Sequence, residues 1–318
     1  MINILITGSV GFIGFNLHNY LSKYYKVIGC DNLSSVSKKT QKLRLNHIKK
    51  KKLKFINLDL NNLQSIKKKL KGYKFDLIIH LAATPGVRVS QKLPQKTIKN
   101  NLISFTNIYE FAVQNKINKL FYASSSSVYG NSKSFIEKNS KLNPTSIYAA
   151  TKVANEYLAK TYNNLYNISS ISLRFFTVYG PWGREDMSYY KFFNNIHKNN
   201  EIEIYGDKKS KRSFTYIDDV TIIIHKLIKK FINKKKFLET INIGNDKTRS
   251  LRELVDIIRK KTKKSFKEIK TTRNKSDAIL TASNNKKIYS LIKYKPKVNL
   301  ENGIDYFYNW YLQNILKK

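Results

Sequence analysis

Short apolar runs alternate with amphipathic stretches through the first half of the chain. The runs lie at 2–7, 26–30, 53–58, 75–83 and 119–123, and they are rich in isoleucine, leucine and valine. Strands that are buried on both faces of a parallel sheet are short continuous apolar runs, and helices commonly connect them. The pattern therefore predicts an α/β fold with a doubly wound parallel sheet, whose ligands bind at the carboxyl ends of the strands.

The second half of the chain departs from this alternation. A long helical period over 146–166 leads to a further apolar run at 168–176, and an irregular region with two glycines and a proline follows. We expect residues 1–176 to form the lobe that contains the sheet, rejoined by part of 213–243. Residues 177–318 would then form most of a smaller α/β lobe for the substrate.

The composition is that of a folded globular protein. Hydrophobic residues make up 41% of the chain, and no apolar run approaches the ~20 residues that cross a bilayer. The first residues are typical of a strand and not of a secretory leader. The single cysteine, Cys30, excludes an internal disulfide and fits a reducing compartment. We therefore expect a cytoplasmic protein without membrane insertion.

The net charge of +39 would favour a nucleic acid or an anionic membrane as partner if it were concentrated in one region. Only nine of the 60 basic residues are arginine, however, and the lysines are scattered in short runs such as 49–52 and 260–264. We expect solvated lysine-rich faces that bind polyanions without specificity at low salt, and no specific nucleic-acid partner. An alternative is a non-catalytic module that binds nucleic acid or senses redox state. The net charge is its only support.

A glycine turn joins the first strand to the first helix, with the spacing Gly8-x-x-Gly11-x-x-Gly14. Gly8 makes the tight turn, Gly11 lets the backbone approach a pyrophosphate, and Gly14 lets the helix pack closely against the strand. The phosphates would lie at the positive N-terminus of the helix. Asp31 ends the next strand and can hold both ribose hydroxyls while repelling a 2′-phosphate. The turn and the acid together predict a Rossmann-type site for NAD rather than NADP.

Further candidate residues follow other strand ends. Asp59 could meet the adenine, and the small residues at 82–83 leave room for a cofactor. His80 is expected to be packed and hydrogen-bonded rather than catalytic. A run of four serines at 124–127 follows the strand at 119–123 and supplies hydroxyls at the same edge.

Tyr148 and Lys152 are four residues apart and would share one face of the long helix. The ammonium of Lys152 beside the phenol would favour the phenolate and lower the pKa of Tyr148 from its ordinary value near ~10. The hydroxyl of Ser125 can hydrogen-bond the same substrate oxygen. These groups together can take a proton from an alcohol while a hydride leaves its carbon.

The order of these motifs resembles the extended short-chain dehydrogenase/reductase family, and within it the nucleotide-sugar 4-epimerases. Several segments are more specific than the motifs that the whole superfamily shares, and they look similar to those of UDP-glucuronate 4-epimerases. They are Gly86-Val87-Arg88-Val89-Ser90, the serine run with Val128-Tyr129-Gly130, Tyr148-Ala149-Ala150-Thr151-Lys152, and the stretch from Arg174 to Met187. Galactose-type 4-epimerases usually have asparagine at the position of Thr177.

The resemblance implies NAD as cofactor, a UDP-sugar as substrate, no metal, and a homodimer built from the helices at 98–114 and 146–166. It assigns Tyr148 as acid/base, with Lys152 and Ser125 assisting. The implied cofactor-binding residues are Gly8, Gly11, Phe12, Ile13, Gly14, Asp31, Asn32, Asp59, Leu60, Leu81, Ala82, Ala83, Tyr148 and Lys152. The implied substrate-binding residues are Ser126, Ser127 and Thr177 at the sugar and its carboxylate, and Arg88, Arg184, Arg212 and Asp277 at the nucleotide-sugar end.

The implied reaction is the conversion of UDP-glucuronate to UDP-galacturonate by transient oxidation at C4. Alternatives on the same fold are an epimerase of UDP-glucose or UDP-N-acetylglucosamine, a UDP-glucuronate decarboxylase and a 4,6-dehydratase. Dehydratases commonly have an Asp-Glu pair where this chain has Ser126-Ser127, which argues against elimination. The chain departs from the family pattern at two places: Lys275-Ser276 replaces Pro-Gly before Asp277, and Thr84-Pro85 replaces Gln-Ala before Gly86.

Overall fold

The computed structural model describes residues 1–34, 37–132, 134–138, 140–206, 210–272 and 278–316. Its strands are β1 (Asn3–Thr7), β2 (Lys26–Asp31), β3 (Lys54–Asn57), β4 (Leu77–His80), β5 (Lys119–Ser125), β6 (Ser169–Phe175), β7 (Thr177–Tyr179), β8 (Ile202–Tyr205), β9 (Lys211–Tyr216), β10 (Leu238–Ile243), β11 (Thr248–Ser250), β12 (Glu268–Thr271) and β13 (Leu280–Thr281). Its helices are α1 (Phe12–Leu21), α2 (Lys38–Lys50), α3 (Leu63–Lys69), α4 (Val87–Lys92), α5 (Pro94–Ile98), α6 (Ser104–Gln114), α7 (Ile147–Tyr166), α8 (Ser188–His197), α9 (Ile217–Phe231), α10 (Leu251–Thr262), α11 (Lys286–Ile292) and α12 (Leu300–Tyr311). A 3₁₀ turn covers Ser126–Tyr129, and π-helical turns cover Lys99–Ile103 and Leu312–Leu316.

Seven parallel strands form the main sheet, in the order β3-β2-β1-β4-β5-β6-β10. The strand order reverses between β1 and β4, so the loops that follow these two strands diverge and open a crevice between them. This is the doubly wound Rossmann arrangement, and the predicted fold class is confirmed. Strand β10 comes from the second half of the chain and lies beside β6. The division of the chain into two lobes at residue 176 stays a prediction.

Alternate side chains of the central strands enter two apolar cores. In β1, Ile4 and Ile6 belong to the core that contains Leu173, whereas Leu5 belongs to the core that contains Phe105 of α6. All five side chains are fully buried. Because helices cover both faces of the sheet, its strand ends are the surface left for a ligand.

Directly after β6 the chain enters a second sheet, in which β7 pairs with β9, and β9 pairs with β11 and β13. Strands β8 and β12 form a separate parallel pair. Aromatic rings fill the space behind β7. The Tyr179 ring lies 5.7–6.1 Å, centroid to centroid, from the rings of Tyr189, Phe214 and Tyr216. The loop at 180–187 therefore starts from a rigid aromatic base.

A π-helical turn interrupts the helix that the sequence predicts over 98–114. Its buried Asn101 accepts a hydrogen bond from the N–H of Thr84 (2.8 Å) and donates one to Thr151 Oγ1 (3.0 Å). The extra residue in the turn shifts the helical register, which hydrophobic periodicity alone does not reveal. Asn101 thereby connects the loop after β4 to α7.

Within the described ranges, no helix combines the length and the apolar content that a bilayer-spanning segment needs. The thiol of Cys30 is free and buried near the end of β2, and burial raises its pKa. Because a buried neutral thiol is a poor nucleophile, Cys30 is a packing residue.

The variant Gly14→Ala is expected to destabilise the protein, because its methyl group would lie 2.1 Å from the carbonyl oxygen of Gly8. Overpacking of this kind costs about 1–3 kcal/mol. Gly11→Ala is the matched control, since its Cβ would lie 3.0 Å from the same oxygen. Urea unfolding without cofactor measures both variants. Equal free energies of unfolding for the two would contradict the close approach of α1 to β1.

Candidate active site

A cleft of about 820 Å³ lies at the carboxyl ends of the main sheet. The glycine turn, the ends of β2 to β6, the start of α7 and the loop before α8 all line it. Every predicted site residue that the structure describes lines this one cleft. The remaining residue, Asp277, lies outside the described residues.

The glycine turn and Asp31 form one hydrogen-bonded unit. Gly8 has a φ of +71°, and its carbonyl accepts the N–H of Gly11 (2.9 Å). The N–H of Val10 donates to Asp31 Oδ2 (3.0 Å), and the N–H of Leu33 donates to Oδ1 (2.7 Å). Burial raises the pKa of Asp31, and these two backbone donors oppose the shift. The carboxylate is thus fixed in place at the end of β2.

The shape of this unit fits a dinucleotide. A Cβ at Gly8 would come within 2.7 Å of the backbone nitrogen of Ala82, so β1 and β4 approach each other through backbone alone. Helix α1 has no acidic residue in its first turn, and its positive N-terminus therefore suits a pyrophosphate. Asn32 Nδ2 lies 3.4 Å from Asp59 Oδ1, so the ends of β2 and β3 also meet along the cleft.

His80 is the packed histidine that the sequence predicts. It is buried, and its Nδ1 lies 2.8 Å from Thr7 Oγ1. Burial and the charge of Lys152 lower its pKa to about 3, so the imidazole is neutral at physiological pH. The His80 side chain therefore links β4 to β1, as expected for a packed histidine.

Helix α7 carries Tyr148 and Lys152 in its first two turns. Ser146 caps the helix by accepting a backbone N–H of the first turn (3.1 Å), which fixes where the helix begins. Lys152 is only 2% exposed, and its Nζ lies 5.9 Å from the centre of the Tyr148 ring. Tyr148 forms a hydrogen bond with Ser125. The Ser125 and Ser127 hydroxyls are 3.1 Å apart.

The pKa of Tyr148 is raised, and the expectation that Lys152 lowers it is wrong for this structure. Burial raises the pKa, while the hydrogen bond with Ser125 and the charge of Arg184 oppose that rise. Burial also lowers the pKa of Lys152 to about 8. Desolvation disfavours the charged forms of both groups. Arg184 is therefore the cation that favours the phenolate here.

The loop between β7 and α8 brings Arg184 to the end of the cleft that contains Tyr148. Arg184 makes a two-point contact with Asp186, with distances of 2.9 Å (Nε to Oδ1) and 2.5 Å (Nη2 to Oδ2). A Cβ at Gly86 would lie 3.2 Å from Arg184 Nη2, so the guanidinium packs against the loop after β4. The resemblance implies that Arg184 lies at the nucleotide-sugar end, and its charge also lies close enough to Tyr148 to oppose the rise in the pKa of the phenol.

Arg88 and Arg212 line the same cleft. The Arg88 guanidinium lies 3.9 Å from the centre of the Tyr205 ring. Arg212 donates from Nη1 to the Ile279 carbonyl (3.0 Å) and from Nη2 to the Ala278 carbonyl. The Tyr205 ring and the two carbonyls therefore hold these guanidinium groups in place, which suits recognition of a diphosphate.

Comparison with known proteins agrees with this geometry. Residues 4–244 match the NAD dependent epimerase/dehydratase family. The chain belongs to that family. A UDP-glucuronate 4-epimerase of Thermodesulfobacterium geofontis is 36% identical over 98% of this chain and 96% of its own length. An uncharacterized protein of Methanocaldococcus jannaschii is 43% identical over 98% of this chain and 97% of its own.

The fold of this chain is also similar to that of a solved structure from the same family. It is the UDP-glucuronic acid 4-epimerase from Bacillus cereus in complex with UDP-glucuronic acid and NAD, with a TM-score of 0.89 and 30% identity over 98% of this chain and 99% of that chain. The predicted family, the Rossmann-type fold and the NAD-dependent class of enzyme are confirmed. The individual roles of the site residues stay predictions.

A buried ion pair behind the serine run escaped the sequence-based prediction for this epimerase/dehydratase. Glu156 of α7 and Arg174 of β6 are joined at 2.9 Å (Nε to Oε1) and 2.6 Å (Nη2 to Oε2). Their side chains are 10% and 4% exposed. Ser124 and Ser172 donate to the same carboxylate at 2.6 and 3.0 Å. The Arg174 guanidinium lies 4.7 Å from the centre of the Tyr129 ring.

The ion pair connects the elements that carry the catalytic candidates. Ser124 precedes Ser125 at the end of β5, and Glu156 lies one turn after Lys152 on α7. The carboxylate that joins these two elements therefore keeps the serine hydroxyl in register with the helix. The signal in the sequence is Arg174 itself, because a charged residue inside a continuous buried strand requires a buried partner.

Glu156→Gln is expected to lower the free energy of unfolding by about 3 kcal/mol, because it leaves the Arg174 charge buried without its counter-ion. Glu201→Gln is the matched control: its carboxylate pairs with Lys267 at 2.9 Å on the surface, and an exposed pair contributes about 0–1 kcal/mol. Urea unfolding measures both. Similar losses of unfolding free energy in the two variants would show that the buried pair stabilises the protein no more than a surface pair does.

Proposed function

We propose that the protein catalyses the reversible 4-epimerisation of UDP-glucuronate and UDP-galacturonate, with NAD regenerated in each turnover. The observation that carries the proposal is the Arg184 cation beside Tyr148, at the end of the cleft that also has the serine hydroxyls at 125–127. A permanent cation at the reacting end suits a sugar that carries a carboxylate two carbons from the reacting C4. The relatives from Thermodesulfobacterium geofontis and Bacillus cereus, both named as 4-epimerases of this sugar acid, support the assignment.

When bound, NAD⁺ supplies the acceptor and donor of the C4 hydride. Asp31 and the backbone of the glycine turn are the groups that would hold its ribose and pyrophosphate. Tyr148 takes the proton of the 4-hydroxyl as the alcohol is oxidised, and returns it when the ketone is reduced on the opposite face. Ser125 can hold the same oxygen, Arg184 is the cation that favours the phenolate in this buried site, and Lys152 would bind the nicotinamide ribose.

The substrate carboxylate has to be restrained during this reaction. The intermediate 4-keto uronic acid is a β-keto acid. It loses CO₂ when the bond to its carboxylate carbon aligns with the π orbital of the C4 ketone. The hydroxyls of Ser126, Ser127 and Thr177, together with Arg184, are the candidates to keep it out of that alignment. Arg88 and Arg212 would then bind the UDP-sugar diphosphate.

Tyr148→Phe is expected to lose turnover by about 10²–10⁴-fold, because it removes the group that takes and returns the proton. Its NAD affinity should change little, since the glycine turn and Asp31 are untouched. The measurement is proton NMR of the anomeric region during incubation with UDP-glucuronate, first without and then with added NAD⁺. Tyr166→Phe, an exposed tyrosine of the same helix, is the control. Full activity in Tyr148→Phe would contradict the assignment.

The same spectra of the unchanged protein separate the alternatives. A stable mixture with UDP-galacturonate supports the proposed reaction. A pentose product would show that CO₂ is lost and that the enzyme is a decarboxylase. Conversion of UDP-glucose or UDP-N-acetylglucosamine, but not of UDP-glucuronate, would reassign the substrate and with it the roles of Ser126, Ser127 and Thr177.

We also propose a cytoplasmic homodimer. Large apolar side chains are 45–64% exposed at Leu93, Ile98, Ile103 and Tyr157. They lie on the segment from the start of α5 to the π-helical turn and on α7, which packs against it. A second copy that packs its own helices on this face would cover these side chains. The free, buried thiol of Cys30 fits a reducing compartment.

Tyr157→Glu is expected to convert the dimer to a monomer, because it puts a charge into the apolar contact face. Light scattering at micromolar protein concentration measures the mass of both forms. Lys49→Glu, at an exposed position of α2, is the control for an added carboxylate. A monomeric wild-type protein would contradict the proposed dimer, and a dimeric Tyr157→Glu protein would contradict this choice of face.

A further inference from the structure

Arg44 of α2 is fully buried, and its guanidinium donates to main-chain carbonyls of two distant segments. Its Nη1 donates to the carbonyl of Val10, in the glycine turn. Its Nη2 donates to the carbonyl of Trp182 and lies 3.5 Å from that of Gly183. One side chain therefore joins the predicted cofactor loop to the loop that carries Arg184.

At the cofactor end, Arg44 completes a chain of hydrogen bonds. The N–H of Val10 donates to Asp31, as described above, and its carbonyl accepts from Arg44. The peptide groups of the glycine turn are thus held from both sides. Displacement of the Arg44 guanidinium would free the turn to move relative to Asp31.

At the substrate end, Arg44 supports a backbone conformation that bulky residues rarely adopt. Trp182 has a φ of +62°, which persists only where the surroundings enforce it and is often found at functional sites. The Trp182 ring lies 4.8 Å from that of Phe15, 5.6 Å from that of His47 and 5.2 Å from that of Trp310. Arg184 follows two residues later, so this turn determines where its guanidinium lies.

A second contact joins α2 to the same loop. The carboxylate of Glu185 accepts hydrogen bonds from Ser37 Oγ (2.5 Å) and from Thr40 Oγ1. We call Ser37, Thr40, Arg44 and His47 the α2 brace. They recur every three or four residues and so lie on one side of the helix.

We propose that Arg44 is a positioning residue that holds the glycine turn and the Arg184 loop at a fixed separation, so that one side chain sets the cofactor site and the reacting end of the substrate site together. The inference rests on the proposed function, in which Arg184 acts at the reacting end. Arginine suits this position because two nitrogens of its planar fork reach two carbonyls at once, which an ammonium group on a similar stem does not reproduce.

The charge of Arg44 is maintained despite its burial. Burial lowers the pKa of Arg44 to about 10, and the charges of Asp31 and Glu185 oppose the shift. The guanidinium is therefore cationic at neutral pH and makes charge-assisted hydrogen bonds to the carbonyls.

Arg44→Lys is the test variant, because it keeps the positive charge and removes the fork. Arg252→Lys, at an exposed position of α10, is the matched control. Four quantities are measured for each: kcat and KM for the nucleotide sugar, the pH profile of kcat/KM, the dissociation constant of NAD⁺, and the tryptophan emission. The emission reports on the brace, because Trp182 and Trp310 are the two tryptophans of the chain.

For Arg44→Lys we expect KM to rise about tenfold, as for the loss of one hydrogen bond with a charged group, with a smaller change in kcat. Tyr148 faces Ser125, Lys152 and Arg184, and withdrawal of the Arg184 charge raises the pKa of the phenol. The limb of kcat/KM that rises with pH should therefore move to higher pH. NAD⁺ should bind more weakly, and the tryptophan emission should change. The control variant should match the wild-type protein in all four.

A double-mutant cycle separates positioning from a general structural role. If Arg44 acts through Arg184, then Arg44→Lys should add little to the KM change in an Arg184→Gln protein. Fully additive effects, with an unmoved pH profile, would overturn the proposal. If Arg44→Lys does not fold, Glu185→Ala takes its place in the cycle, because it removes the acceptor of the hydrogen bonds from Ser37 and Thr40 to the same loop. Additivity there would overturn the proposal in the same way.

Failure of the proposed function would be distinguishable from failure of this inference. A wild-type protein that converts no nucleotide sugar would overturn the function alone. The brace is then judged by NAD⁺ titration and by tryptophan emission in Arg44→Lys. A change in both supports the coupling, and wild-type values of either overturn it.

Discussion

Parallel pairing of seven strands is the constraint on which the rest of the structure depends, because it brings all their carboxyl ends to one edge. Residues from the turns after β1 to β6 are separated by up to 170 positions in the chain yet line one cleft. Helices cover both faces of the sheet, so the apolar side chains of its strands pack into the cores and polar side chains collect at the edge. The chemistry of the site is therefore largely a consequence of strand direction.

Among the described residues, three basic side chains are buried near this edge, and their surroundings differ. Arg174 has a carboxylate partner, Glu156. Arg44 is held by main-chain carbonyls. Lys152 is buried so deeply that its pKa falls to about 8. Burial is costly for a charge, so each of these side chains depends on the groups packed around it.

The sequence was informative where function depends on residues that are close together in the chain. The glycine spacing, Asp31 at a strand end and the Tyr148–Lys152 pair on one helix follow from local periodicity. Arg44 was not predicted as part of the site, since its contacts with Trp182 cross 138 positions of the chain. The raised pKa of Tyr148 also escaped, because spacing reveals which groups are neighbours but not how much solvent they lose. The π-helical turn escaped because one added residue barely alters an apolar period.

The place of β10 at the edge of the main sheet has a consequence for synthesis of the chain. Strand β6 is seven residues long and buried throughout, yet its second neighbour is made more than 60 residues later. Until residues 238–243 leave the ribosome, β6 has an open edge of unpaired backbone groups beside the strands of the main sheet that have already been made. Unpaired strand edges readily associate with other chains. The nascent protein is thus most exposed to misassembly while the segment that carries Arg184 and Arg212 is being made.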